Sequence, residues 1–217
     1  HPVSEAGVKP YYEHAGITFY HGDCLSVMGQ LAPHFGERPF DLLLTDPPYG
    51  LGKRISGGPW GREERYGEMW KWDVAPSEGT VMTFVKTAKQ AIVWGGNYFS
   101  MPAARCWLSW SKTNAVQTMA SMELAWTTLD KPAKEWRGPV STHDTGHPTQ
   151  KPEALMYWCL SLAEPVTTVF DPYIGSGTTL VVAKRLGKSC VGIEREERYC
   201  EIAARRLQQE ALPLEVA

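Results

Sequence analysis

A chain of 217 residues can bury one substantial hydrophobic core but hardly two, so a single domain spanning 1–217 is expected. Its 43% hydrophobic and 21% charged content is that of an ordinary soluble globular protein, and no apolar run approaches the length of a membrane span. A net charge of −2 excludes a protein that is basic as a whole, so a nucleic-acid partner would need a local basic patch.

There is no signal-peptide pattern, and the first few residues, which begin with His1 rather than Met, are set aside. Cys24, Cys106, Cys159, Cys190 and Cys200 are odd in number, scattered and never at zinc-ligand spacing, as for the reduced thiols of an intracellular protein. None of them follows a proline.

In chain order, residues 16–20 have strand composition, and His21-Gly22-Asp23 then turns into a helical segment over 24–31 with Asp23 at its N-cap. Phe40-Asp41-Leu42-Leu43-Leu44 predicts a buried strand of a parallel sheet, ended by Thr45-Asp46-Pro47-Pro48-Tyr49-Gly50. The carboxyl end of such a strand is where open α/β sheets hold ligands. Pro47 and Pro48 offer carbonyl acceptors without competing N–H groups, Asp46 adds a carboxylate and Tyr49 a flat ring. This corner suits a planar substrate carrying an amino group; the plain alternative is a proline turn capped by Asp46, with Tyr49 covering the sheet edge.

Residues 50–77 are rich in Gly and Trp and predict a long loop. Trp60, Trp70 and Trp72 interleave with Lys53, Arg54, Arg62, Arg65 and Lys71, a pattern suited to stacking and phosphate contact with nucleic acid. Glu63, Glu64 and Glu68 dilute the charge, which leaves an ordinary solvated loop as the rival reading. A helix is expected over 78–88, a short strand over 91–94 ending at Gly95-Gly96-Asn97-Tyr98-Phe99, and further strands over 105–110 and 122–129. Strands alternating with helices argue for a mainly parallel sheet, with the last two as an antiparallel edge pair. Residues 130–146 read as a polar loop closing on His147-Pro148-Thr149-Gln150-Lys151-Pro152, after which a helix is expected to about residue 163. His143 and His147 are four apart, but no further ligands accompany them and no metal is expected.

In the stretch 166–179 a β-branched strand runs through Asp171-Pro172-Tyr173-Ile174 into the turn Gly175-Ser176-Gly177 and a helix over 178–186. The two glycines permit close ligand approach, and the next strand, 189–193, ends in Glu194, placed to accept hydrogen bonds from ribose hydroxyls. Leu180 stands where a dinucleotide fingerprint has its third Gly, and no Gly-Lys-Ser/Thr of a phosphate loop is present. Asp171 would repel a pyrophosphate but welcome an amino-acid ammonium. That combination favours S-adenosylmethionine over NAD or ATP.

From residue 16 to 207 the chain resembles the S-adenosylmethionine-dependent amino-methyltransferases of DNA, in the β permutation class. Its markers are Gly22-Asp23, Asp46-Pro47-Pro48-Tyr49, Trp94 to Phe99, Glu123-Leu124-Ala125-Trp126, His147 to Pro152, Phe170 to Thr179 and Gly192-Ile193-Glu194, in that order. The resemblance implies an α/β Rossmann-like methyltransferase fold with circularly permuted motifs: a catalytic half at 16–129, a cofactor-binding half at 147–207, and DNA-contact loops at 50–77 and 130–146.

It also implies a mechanism. Asp46 and a carbonyl of Pro47-Pro48 accept hydrogen bonds from the exocyclic amine of a flipped-out base, Tyr49 stacks on that base, and the nitrogen attacks the sulfonium methyl in line without a covalent enzyme intermediate. Flipping costs a few kcal/mol, largely offset by stacking of roughly 1–3 kcal/mol and the new hydrogen bonds. Cytosine carbon-5 methylation would need a nucleophilic Cys, usually after Pro, and none is so placed. Cofactor contacts carried over by position are Asp171, Tyr173, Gly175 and Gly177 around the methionine moiety, Glu194 at the ribose, Asp23 near the adenine, Asp46, and His147, Thr149 and Lys151 over the methionine carboxylate. Asp at the corner favours adenine N6, with cytosine N4 as the alternative. Double-stranded DNA is the implied partner, in a prokaryotic or phage-infected cytoplasm within restriction-modification; a homodimer is in keeping with the class, and neither membrane nor metal is expected. The rivals are an RNA or small-amine methyltransferase and a catalytically silent cofactor- and DNA-binding subunit.

Overall fold

The computed structural model describes residues 7–51, 73–77, 79–115, 120–140 and 150–209. Among these, the strands are β1 (Tyr12–His14), β2 (Ile17–His21), β3 (Phe40–Thr45), β4 (Ala88–Trp94), β5 (Trp107–Lys112), β6 (Met122–Thr127), β7 (Lys134–Gly138), β8 (Thr168–Asp171) and β9 (Ser189–Glu194). They form one sheet in the order β1-β2-β9-β8-β3-β4-β6-β5-β7. Neighbours from β2 to β4 are all parallel, β5 and β6 are antiparallel as expected, and β1 is antiparallel to β2.

Helices cover both faces: α1 (Cys24–Leu31), α2 (Thr80–Val85), α3 (Glu153–Leu162), α4 (Thr178–Arg185) and α5 (Glu197–Gln209). Alternation along a strand sends neighbouring side chains to opposite faces. Leu42 and Leu44 therefore join a core with Leu155 and Cys159 of α3, Val181 of α4 and Ala203 of α5. Leu43 joins the other core, with Val27 and Met28 of α1 and Phe84 of α2. This burial on both faces is why β3 reads as an unbroken apolar run.

Two expectations need correction. Residues 134–138 are not loop: β7 pairs in parallel with β5, Trp136 opposite Trp110, so a further strand lies outside the antiparallel pair. Its Lys134, Glu135 and Arg137 are exposed, as befits an edge strand, and that polarity hid it. The helix expected over 78–88 stops at Val85, because Thr87 N–H bonds Phe84 O and Ala88 already opens β4. Both β1 and α5 went unassigned.

The site follows from the topology. Chain order reverses between β3 and β8, the switch point where open α/β sheets leave a crevice at their carboxyl ends. Parallel pairing brings His21, Glu194, Asp171, Thr45 and Trp94, the last residues of β2, β9, β8, β3 and β4, to one edge of the sheet. Because β6 runs the other way, its early residue Glu123 shares that edge with Lys112 at the end of β5.

Candidate active site

Asp46 leaves β3 at the switch point, one strand away from Asp171. Thr45 Oγ1 donates to Asp171 Oδ1 at 2.7 Å and so ties the two strand ends together. Tyr49 O–H donates to Asp46 Oδ1 at 2.5 Å, while the Lys151 ammonium pairs with Asp46 Oδ2. The turn after Pro48 is pinned from below: buried Asp73 accepts the N–H groups of Tyr49 at 3.0 Å and Gly50 at 3.2 Å. Gly50 and Asp73 thus meet at the corner, although residues 52–72 between them, with Trp60, Trp70 and Trp72, lie outside the described residues.

The Tyr49 ring stacks on Tyr98 with centroids 4.8 Å apart and meets Phe99 edge-on at 6.5 Å. Gly95 makes this possible. It sits at φ +67°, and a Cβ there would lie 2.0 Å from Tyr49 Cε1. Gly95→Ala is therefore expected to push the ring out and to destabilise the fold by about 1–3 kcal/mol, read as a lowered melting temperature in thermal unfolding.

Four charged side chains meet under the corner. The Lys151 ammonium bridges Asp46 and Glu123 Oε2, the latter at 3.1 Å, and Lys112 Nζ binds Glu123 Oε1 at 2.5 Å. Burial raises the Asp46 carboxyl above its ordinary value, and the Lys151 charge pulls part of that back. For Glu123 burial works the same way, but Lys151 and Lys112 outweigh it and lower the carboxyl to about 2. Burial would pull Lys151 down; its two carboxylate partners raise it instead. Lys112 and Glu123 were not singled out as site residues from sequence. For Glu123 the available signal was its place at the head of the marker Glu123-Leu124-Ala125-Trp126, and for Lys112 its place as the last residue of β5. Lys151, expected over a cofactor carboxylate, has its ammonium on Asp46 and Glu123.

On the other side of the switch point the glycine turn is fastened by carboxylates. Glu194 accepts the Gly175 N–H at 2.9 Å and the Glu196 N–H at 2.8 Å, and Asp171 accepts the Tyr173 N–H at 3.0 Å. Gly177, at φ +81°, lets the turn close onto α5, since a Cβ there would meet Ala203 Cβ at 2.8 Å. Burial raises Asp171 to about 6 and Glu194 to about 7. Both carboxylates are hence poised to gain from cationic or hydroxyl donors. Tyr173 OH lies 3.4 Å from Cys24 Sγ, and Asp23 caps α1 through Ser26 N–H at 2.9 Å, as its position before a helix suggests. Ser176 donates to Gln150 at 2.8 Å, and Arg206 bonds Ser176 O at 2.7 Å and Glu153 at 2.8 Å, locking the segment before α3 to the glycine turn.

Of the residues singled out from sequence, Asp46, Pro47, Pro48, Tyr49, Asp23, Lys151, Asp171, Tyr173, Gly175, Gly177 and Glu194 belong to this one edge of the sheet and its turns. His147 and Thr149 lie outside the described residues, as does His143. Among the described residues no group of His, Cys, Asp and Glu could hold a metal ion, and no helix is long and apolar enough to cross a membrane. All five cysteines are free thiols.

Residues 73–205 match the family model described as DNA methylase, for N6 and N4 methylation. Type II methyltransferase M2.DpnII of Streptococcus pneumoniae is 26% identical, with 93% of this chain and 93% of that protein covered. The alignment runs over 263 positions, more than this chain has, so the relative carries segments absent here. Among solved structures, the PvuII DNA methyltransferase (cytosine-N4-specific) superposes with a TM-score of 0.63 at 19% identity, covering 97% of this chain and 92% of that one. The M1.HpyAVI–SAM complex does so with a TM-score of 0.57 at 20% identity, covering 88% and 98%. At these identities the structures establish a shared fold.

Proposed function

The chain belongs to the DNA methylase family of amino-methyltransferases, and from that premise we propose that it methylates the exocyclic amine of a base flipped out of duplex DNA, adenine N6 in the first place. One observation carries this reading. The Asp46 carboxylate, followed by two prolines and Tyr49, stands one strand from a glycine turn held by Asp171 and Glu194, so an amine acceptor and a nucleoside site open into one crevice.

The residues present suit S-adenosylmethionine. Glu194 has lone pairs left for ribose hydroxyls after serving two backbone N–H groups, Asp171 offers charge to an ammonium, and the glycine turn admits a ligand to the backbone. When bound, the cofactor supplies a sulfonium methyl open to in-line attack. Asp46 and the adjacent proline carbonyl draw the amine hydrogens out of the base plane, which localises the nitrogen lone pair. Tyr49 would fix the ring plane, and the Asp46 charge would stabilise the positive charge that develops on nitrogen as the S–methyl bond breaks and the thioether leaves, the surplus amine proton being lost afterwards. The Asp at the corner, rather than Ser, is what favours adenine. Residues 50–77 and 130–146 are the DNA-contact segments of this reading. Since M2.DpnII carries segments absent from this chain, recognition falls to residues 50–77, to a short or loosely read site, or to a second subunit such as a second copy in a homodimer.

Two results are expected. Nucleoside analysis of unmethylated genomic DNA after incubation with enzyme and S-adenosylmethionine yields N6-methyladenine. N4-methylcytosine would change the base and keep the chemistry; methylated RNA with unmodified DNA would overturn the reading. Ribose hydroxyls bind the ionised form of Glu194, and its carboxyl is raised to about 7, so protonation competes with the cofactor. Affinity measured by calorimetry should thus be about tenfold weaker at pH 6 than at pH 8, and that slope should flatten in Glu194→Gln.

A further inference from the structure

We propose that Glu123 is a positioning residue for methyl transfer: anchored by Lys112, it shares the Lys151 ammonium with Asp46 and so keeps the net charge of the cluster beside the amine negative. This rests on the reading of Asp46 given above.

The geometry assigns each oxygen of Glu123 a different cation, Oε1 to Lys112 at 2.5 Å and Oε2 to Lys151 at 3.1 Å. Lys112 is held in turn, with Nζ 4.9 Å over the Trp110 ring. Both ammonium-bearing side chains are buried, at 5% and 7% exposure, so each depends on its carboxylate partners to offset the cost of burying its charge. Were Lys151 paired with Asp46 alone, the two charges would cancel where the transfer step requires a negative potential. With Glu123 on the same ammonium, and its Oε2 also 3.5 Å from the Tyr49 hydroxyl, the Asp46, Lys151 and Glu123 set sums to one negative charge. Lys112 balances the set from the distant end. The arrangement also fixes direction. Lys151 on Oδ2 and Tyr49 O–H on Oδ1 use one lone pair of each Asp46 oxygen, and an ionised carboxylate has about four.

Among the described residues, the groups facing Asp46 are Lys151 from the segment before α3, Glu123 from β6, Tyr49 from its own turn with Asp73 behind it, and Asp171 from the end of β8. Removing Glu123 therefore leaves Lys151 unshared beside Asp46 and should move the acid limb of the rate profile to lower pH. Removing Lys112 should move it to higher pH.

The test compares wild type, Glu123→Gln, Glu123→Asp and Lys112→Met in single-turnover methyl transfer to DNA across pH, with calorimetry of S-adenosylmethionine alongside. In Glu123→Gln the transfer rate is expected to fall about 100-fold with cofactor affinity within twofold of wild type, and Glu123→Asp should recover part of the rate. The same samples, labelled with 13C at the aspartate carboxyl and assigned against Asp46→Asn, report the Asp46 midpoint by NMR: down in Glu123→Gln, up in Lys112→Met. An unchanged rate in Glu123→Gln, or a fall in rate with the midpoint unmoved, overturns the proposal. A wild-type enzyme inactive on DNA defeats the methyltransferase reading instead, while opposite shifts of the Asp46 midpoint would still uphold the charge-sharing.

Discussion

Asp46→Ala is expected to lower the methyl-transfer rate by a factor of about 10³ or more while S-adenosylmethionine affinity stays within a few fold. The variant removes the acceptor that localises the amine lone pair and the charge that meets the developing cation. Neither loss touches the glycine turn, which is fastened by Asp171 and Glu194 from the neighbouring strands. The fold should tolerate the change, because Lys151 retains Glu123 and β3 keeps Leu42, Leu43 and Leu44 fully buried. Asp46→Asn should fall between, keeping a carbonyl acceptor but losing the charge. Single-turnover transfer and calorimetry on the same preparations separate the two quantities; a rate within tenfold of wild type in Asp46→Ala would remove the residue from the mechanism.

The second large effect is expected at Glu194. Its carboxylate binds the Gly175 and Glu196 N–H groups and, in the proposed complex, the ribose. Glu194→Ala removes charge-assisted hydrogen bonds worth about 1.5–3 kcal/mol each and leaves two backbone donors without their acceptor, so the turn keeps only its Ile174 N–H to Ile193 O bond to β9 and loses its ligand contact. Cofactor affinity should fall about 100-fold. The transfer rate at saturating cofactor should fall far less, because the Asp46 corner stands on other strands. Glu194→Gln, which keeps a carbonyl acceptor, should lose about tenfold. Unchanged binding in the alanine variant would place the ribose elsewhere.

The parts of this site that were legible in the sequence are those where local chemistry and chain order coincide. Asp46 follows an apolar run stopped by two prolines, and Gly175-Ser176-Gly177 joins a β-branched strand to a helix, so each motif predicts its own backbone. The α1 boundaries could be read for the same reason, since Asp23 caps a segment with Val27, Met28 and Leu31 on one face. What stayed hidden depends on register between distant strands. Lys112 looks like an ordinary polar residue near a turn, and Glu123 opens a family marker without a role of its own, until antiparallel pairing of β5 and β6 brings them under Lys151, far along the chain. Asp73 likewise becomes legible only when it accepts the N–H groups of Tyr49 and Gly50 across the long excursion between them. Strand β7 escaped because an edge strand with charges outward has no buried alternation to betray it.

The most direct test of direct amine methylation is to incubate the enzyme with unmethylated duplex DNA and S-adenosylmethionine carrying a 13C-methyl group, then locate the label. The mechanism requires it on the exocyclic nitrogen of a base, adenine N6 first, with none on the protein at any time point. Label on a ring carbon, label passing through a protein side chain, or none in DNA while the cofactor binds would contradict it.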